Sequence, residues 1–301
     1  MKIERPIIII GVERSGTTLL YSILSNHPDL YWFSRLDSML PGATYLATIT
    51  RRIISNIVRN DIYLAIPNTI SRTRGLIPPS ECLPYWRKYF KFVDENKNGV
   101  KDDDYYSEED LESHTLKRIH HDLERRLALL GKKRLLLKQP AFSLKIGYFN
   151  KLFPDAIFVH VLRHPFTNYD SLYRAKRNSN KKYWGTKFPG WRAYRDIGLE
   201  IQSMMHLKEV LEIIERDVHA RDGLPERYLI IKYEDLIEKS LDSLTKVISF
   251  CGLEWCQEMH SVLDNIARNS GTKVTLLESI EVRKAITPLV NRYGYIVPDN
   301  N

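Results

Sequence analysis

The sequence predicts an α/β fold, a mostly parallel sheet flanked by helices. Three observations predict it. Four short runs, Ile7–Ile10, Leu135–Lys138, Ile157–Leu162 and Tyr228–Ile231, are almost wholly apolar and lie near turn signals. Helical stretches separate them, which suits parallel strands covered on both faces. The first run passes through a glycine-bounded loop directly into a helix, within Pro6–Leu20, PIIIIGVERSGTTLL.

Each element follows in order. Four consecutive isoleucines are a buried-strand signal. The loop Gly11-Val-Glu-Arg-Ser-Gly16 then opens a helix over Thr17–Ser25. Strand, loop and helix N-terminus make a phosphate cradle, because backbone N–H groups and the positive end of the helix dipole meet at one anion. Gly11 and Gly16 carry P-loop spacing, so the fold is expected to be P-loop-containing. Thr17 stands where an ATPase has its lysine, and the basic residue sits earlier, at Arg14. That displacement argues against an ordinary ATP or GTP hydrolase.

Further helices are predicted over Glu109–Leu130, Pro165–Lys176, Trp191–His219 and Leu241–Cys251. The strand Ile157–Leu162 ends in Arg163-His164-Pro165, and Pro165 suits a first helical turn. Ser171 lies eight residues after Arg163, about two turns into that helix. A guanidinium at a strand tip and a hydroxyl facing the crevice can share one phosphate. A surface arginine with a solvated serine is the plainer alternative. Asp94–Asp104 and Arg177–Gly190 are the least regular parts and read as surface loops or mobile flaps.

The composition sets bounds. The chain has 301 residues, 43% of them hydrophobic, which favours a single domain with insertions over two domains. A formal net charge of +8 suits a polyanionic ligand, and equally an ordinary basic surface. Cys82, Cys251 and Cys256 show no metal-ligand pairing, and reduced thiols suggest an intracellular protein. No metal is required where arginine and lysine supply the positive charge. The N-terminus enters the first strand at once, and no apolar run is long enough to span a bilayer. A cytoplasmic location is the expectation. No RNA- or DNA-binding signature is present, so nucleic acid is not an expected partner. Oligomeric state is not legible.

Arg14-Ser-Gly-Thr-Thr-Leu19 resembles the 5′-phosphosulfate loop of sulfotransferases that use 3′-phosphoadenosine 5′-phosphosulfate (PAPS). Arg163 with Ser171 resembles their 3′-phosphate site. Lys138-Gln-Pro-Ala-Phe-Ser-Leu-Lys, Leu152-Phe-Pro-Asp-Ala156, Arg163 and Ser171 are similar to a block of the tyrosylprotein and bacterial members, a group that also modifies carbohydrates. Lys232-Tyr-Glu-Asp-Leu236 is similar to a further family landmark, and Arg268 through Lys273 to Tyr295 more loosely to the closing segment. Residues 35–133 match least and are expected to form an acceptor-site insertion. Residues 174–190 are expected to form a flap.

The resemblance implies a PAPS-dependent transferase that moves a sulfuryl group to a hydroxyl-bearing acceptor. Arg14, Ser15, Gly16, Thr17 and Thr18 would hold the 5′ end of the cosubstrate, and Lys138 would face the transferring group. Such electrostatic donors typically contribute ~10²–10³ each in rate. Tyr233, Arg268 and Lys273 are candidate nucleotide contacts; the alternatives are a half-buried tyrosine and an exposed basic loop. The acceptor hydroxyl needs a general base. Familiar cytosolic members carry a histidine two residues after the matching lysine, where this chain has Pro140. Glu81 is the first candidate base and Asp37 the second, each otherwise a helix cap or surface carboxylate. His120, His121 and His160 are outsiders, and His160 reads as a packed strand histidine.

The acceptor is expected to be a carbohydrate, a lipid-linked glycan or a phenol. Two aromatic groups, Tyr85, Trp86, Tyr89, Phe90 and Phe92, and Tyr183, Trp184, Phe188 and Trp191, line its pocket or pack the core. Two rivals stand beside this reading. A P-loop nucleotide kinase needs a lysine at position 17 and a carboxylate for Mg²⁺. A non-catalytic nucleotide-binding module needs neither.

Overall fold

In the first strand, β1 (Ile7–Ile10), alternate side chains build both faces of a sheet. Ile7 and Ile9 join one apolar cluster, Ile8 and Ile10 the other, and all four are buried. The computed structural model describes residues 2–40, 44–57, 67–68, 72–73, 78–91, 93, 101–260, 277 and 279–298.

From β1 the chain turns into α1 (Thr17–Leu24), β2 (Leu30–Tyr31), α2 (Arg35–Met39) and α3 (Thr44–Ile57). β3 (Pro67–Asn68) and β4 (Arg72–Thr73) form a separate antiparallel pair. Next come α4 (Leu83–Trp86), α5 (Ser113–Leu130), β5 (Arg134–Lys138), α6 (Ile146–Leu152), β6 (Ile157–Leu162), α7 (Pro165–Arg177), α8 (Leu199–His219), β7 (Tyr228–Lys232), α9 (Tyr233–Glu238) and α10 (Ser240–Cys251). A helix over Ile280–Arg292 follows.

The main sheet runs β2-β5-β1-β6-β7, and every neighbouring pair is parallel. Its register decides where the chemistry goes. Ile9 lies opposite Lys138, Ile10 opposite His160, and Leu162 opposite Lys232. The loops that follow β1, β5, β6 and β7 therefore leave the sheet along one edge. That edge is where open α/β sheets bind ligands.

All four expected strands form. β2 was not among them, because two residues are too few to show a period. Glu109–Leu130 begins later than expected, at Ser113. The expected single helix Trp191–His219 divides into a 3₁₀ turn over Trp191–Tyr194 and α8, with Gly198 at the N-cap of α8. The buried Trp191 indole donates to the Asp102 carbonyl at 2.7 Å, which anchors the turn to a different segment.

One face of the sheet packs an aromatic cluster. Trp86 meets Phe142 edge-on with ring centroids 5.1 Å apart, and Phe142 meets Phe149 at 4.5 Å. Burying a side chain of this size contributes roughly 1.5–3 kcal/mol. Tyr85, Trp86, Phe90, Tyr183, Phe188 and Trp191 are all buried, so these rings pack the core and anchor a loop rather than line an open pocket. Phe92 lies outside the described residues.

Candidate active site

The loop after β1 has a conformation that its residues alone do not favour. Gly11 has φ +150°, and a side chain there would meet the Val161 carbonyl at 2.6 Å. Gly16 has φ +101°, and a Cβ there would lie 2.2 Å from the Tyr233 ring. Arg14 itself is left-handed, with φ 70°, which costs an L-residue about 1–2 kcal/mol. Ser143 pins the start of the loop: Gly11 N–H donates to its Oγ at 2.9 Å, and the hydroxyl donates to the Gly11 carbonyl at 2.9 Å. Because Gly16 is the N-cap of α1, no side-chain cap engages the first-turn amides. They face the loop with the positive end of the helix.

Three motifs distant in sequence meet at this loop. Arg14 Nε donates to Ser171 Oγ on α7 at 3.1 Å. Arg163 Nη1 donates to the Arg14 carbonyl at 3.1 Å, and its guanidinium lies 4.8 Å from the Tyr233 ring centroid. Arg163 and Ser171 were expected to pair around one phosphate; here Arg14 stands between them. Asn168 Nδ2 donates to the Glu13 carbonyl at 2.8 Å.

The corner that carries Arg163 is itself braced. Glu234 accepts from the His164 amide at 2.9 Å and from the Tyr295 hydroxyl at 2.9 Å. Phe166 N–H donates to His164 Nδ1 at 3.2 Å, which caps α7.

Lys138 closes the other side. Its Nζ donates to Thr18 Oγ1 at 3.0 Å and pairs with Glu81 Oε1. The Lys138 side chain is 3% exposed and that of Glu81 is 42% exposed, so the carboxylate bridges the buried ammonium and solvent. Cys82, the residue after Glu81, is left-handed, with φ 45°. Strained backbone of this kind collects at functional sites.

Asp37 lies in different surroundings. It forms a capping box with Ser34 on α2, and Arg126 Nη1 donates to its Oδ1 at 3.2 Å. Both side chains are buried, so Asp37 is engaged as a structural carboxylate. His160 Nδ1 lies 2.5 Å from the Tyr228 hydroxyl, and burial holds the imidazole down at about 3. His120 Nε2 contacts the Leu152 carbonyl at 2.8 Å. Arg268 and Lys273 lie outside the described residues.

The Sulfotransferase family model matches residues 6–257. The chain belongs to the sulfotransferase family. It is 23% identical over 172 residues to the omega-hydroxy-beta-dihydromenaquinone-9 sulfotransferases of Mycobacterium bovis and Mycobacterium tuberculosis. That match covers 54% of this chain and 42% of theirs, so it spans less than half the length of those relatives. A sulfotransferase of Mycobacterium avium superposes with a TM-score of 0.61 at 14% identity, covering 99% of this chain and 79% of that one. One from Mycobacterium tuberculosis H37Rv gives 0.55 at 16%, over 95% and 77%. The sulfotransferase domain of the Synechococcus PCC 7002 olefin synthase gives 0.52 at 15%, over 99% and 98%. At such identities the likeness speaks to fold.

In this sulfotransferase-family chain, no group of three or more His, Cys, Asp or Glu side chains among the described residues is placed to hold a metal ion. No described helix is long and apolar enough to cross a membrane. Sequence reasoning missed Ser143, although it sits inside the Lys138–Lys145 block. It also missed Glu13, Asn168, Thr186 and His206.

Proposed function

We propose that this chain transfers a sulfuryl group from PAPS to an acceptor hydroxyl. The observation that carries the reading is the contact of Lys138 with both Thr18 and Glu81, on the sheet edge where Arg14, Ser171 and Arg163 converge. The residues fit a bisphosphorylated nucleotide. Ser15 Oγ and Arg163 Nε are buried polar atoms with no protein partner, and glycines stand at both ends of the loop, where a Cβ would meet the Val161 carbonyl or the Tyr233 ring.

Arg14, Ser15, Gly16, Thr17 and Thr18 would hold the 5′-phosphosulfate end. Arg163 and Ser171 would hold the 3′-phosphate, and Tyr233 the nucleoside, with Arg268 and Lys273 proposed to close over it. PAPS supplies the sulfuryl group and leaves as adenosine 3′,5′-bisphosphate. Lys138 would hold positive charge beside the transferred group, where fixed charge stabilises a developing anion without reorganisation. Glu81, half-exposed next to that ammonium, would take the acceptor proton. Glu81 is the first candidate for that base, and Asp37, bonded to Ser34 and Arg126, the second. Residues 35–133 and 174–190 would shape the acceptor side of one domain.

Carbohydrate, lipid-linked glycan and phenol are the acceptor classes proposed, and the relatives' names add a hydroxylated dihydromenaquinone. The free thiols of Cys82, Cys251 and Cys256 support a reducing, cytoplasmic setting. The test is release of adenosine 3′,5′-bisphosphate from PAPS with each acceptor class in turn. Acceptor-dependent release is expected. Phosphoryl transfer from ATP with Mg²⁺, and none from PAPS, would instead support the kinase alternative.

A further inference from the structure

Glu13 is a buried carboxylate in the middle of the loop after β1, and its side chain pairs with Thr186 and His206. Its Oε1 accepts from the Thr186 amide at 2.6 Å and from the Thr186 hydroxyl. Its Oε2 lies 2.7 Å from His206 Nε2 on α8. His206 is fully buried, and its Nδ1 lies 3.3 Å from the Tyr183 hydroxyl. Gly185, with φ +108°, lets the chain pass: a Cβ there would sit 2.5 Å from His206 Cε1. Lys176 Nζ donates to the Trp184 carbonyl at 2.7 Å and lies 3.9 Å from the Tyr183 ring centroid. Burial alone would raise the Glu13 carboxyl. The His206 and Thr186 contacts outweigh it and hold the group down at about 2, so the carboxylate is ionised at neutral pH.

We propose that Glu13 and His206 are positioning residues, which clasp the segment Arg177–Gly190 to the phosphate loop and hold the neighbouring Arg14 toward Ser171. The left-handed Arg14 needs such support, since strained backbone persists only where its surroundings over-determine it. Glu13 provides it from both ends. Its side chain is fixed by α8 and the 177–190 segment, and its carbonyl by Asn168 of α7. The expected flap is thus fastened to the donor loop, and acceptor-side and nucleotide-side elements move as one unit. The action on Arg14 rests on the nucleotide reading above; the clasp itself does not.

Two measurements on the full chain test this. Hydrogen exchange without ligand reads the Thr186 amide directly. His206→Leu removes the imidazole, and exchange over residues 183–188 is expected to rise at least about tenfold. His206→Gln, which replaces Nε2 with an amide donor, is expected to restore much of the protection. Thr186→Val is the milder variant should His206→Leu fail to fold, and a smaller rise is expected there. Unchanged exchange in the folded variants would overturn the clasp.

The second measurement is a double-mutant cycle on affinity for adenosine 3′,5′-bisphosphate. His206→Leu is expected to cost about tenfold in wild type and under about twofold when Arg14 is already alanine. Equal costs in both backgrounds would mean a general structural role and overturn the positioning of Arg14. A wild-type chain that binds no such nucleotide would overturn the sulfotransferase reading. Protection lost in His206→Leu would still uphold the clasp.

Discussion

Lys138→Met separates catalysis from stability. The ammonium sits at the end of β5, 3% exposed, and joins Thr18 in the first turn of α1 to Glu81. Methionine keeps most of the apolar stem and removes the charge. In the folded protein the loss is small. The Glu81 side chain is 42% exposed and turns to water when its partner leaves, so the pair contributes about 1 kcal/mol or less. A Tm lower by no more than about 3 °C is expected. In the transition state the loss is large. A fixed positive charge beside the developing anion disappears, which typically costs ~10²–10³ in kcat. Affinity for adenosine 3′,5′-bisphosphate is expected to stay within about threefold, because the product lacks the sulfuryl group that Lys138 is proposed to face. The assay is initial-rate release of adenosine 3′,5′-bisphosphate from PAPS with a saturating acceptor, beside thermal unfolding and calorimetry. A kcat within about threefold of wild type, or a Tm lower by about 8 °C or more with unchanged turnover, would refute the reasoning.

Three more outcomes follow from the same geometry. Gly16→Ala is expected to abolish measurable nucleotide binding, because φ is +101° and the new Cβ would sit 2.2 Å from the Tyr233 ring; calorimetry checks it. Asp37→Asn is expected to lose about 3 kcal/mol of stability in urea, the low end for a broken buried pair because Asp122 still faces Arg126 at 2.8 Å, with nucleotide affinity unchanged. The third concerns acid stability. His160 in the fold is lowered from 6.5 to about 3, so on acidification the unfolded chain binds its proton first. Its stability contribution is whole above about 6.5 and is lost toward 3 at roughly 1.4 kcal/mol per pH unit. His160→Leu is expected to flatten that limb of the stability–pH profile, and an unchanged slope would contradict it.

The sheet was legible because its strands are buried on both faces. Ile7–Ile10 is apolar throughout and Ile157–Leu162 apolar except for His160, and no helical period competes with them. β2 was hidden, since Leu30 and Tyr31 owe their strand state to pairing with Arg134 and Leu135, which no local pattern records. The break before α8 was hidden too, as the Trp191 indole leaves the helix for the Asp102 carbonyl. At the site, residues next to strand ends were legible: Arg14, Lys138 and Arg163 follow or end apolar runs, and register brings them to one edge. Glu81 was legible only through resemblance to other sequences. Its place beside Lys138 is a contact across 57 residues, which no local pattern records. Asp37 stood as the second candidate because nothing local shows its partner, Arg126, which lies 89 residues away. The Glu13–Thr186–His206 contacts were illegible for the same reason, as they span 173 and 193 residues.

The central claim is that the edge formed by Arg14, Ser171 and Arg163 recognises a nucleotide carrying a 3′-phosphate. The most direct measurement is calorimetric titration with adenosine 3′,5′-bisphosphate against AMP and ATP, in wild type and Arg163→Ala. The account predicts a clear preference for the 3′-phosphorylated nucleotide without added metal, reduced about 10- to 100-fold when Arg163 is removed, the worth of a charge-assisted contact. Equal affinity for AMP and the bisphosphate, or tight ATP binding that requires Mg²⁺, would contradict it.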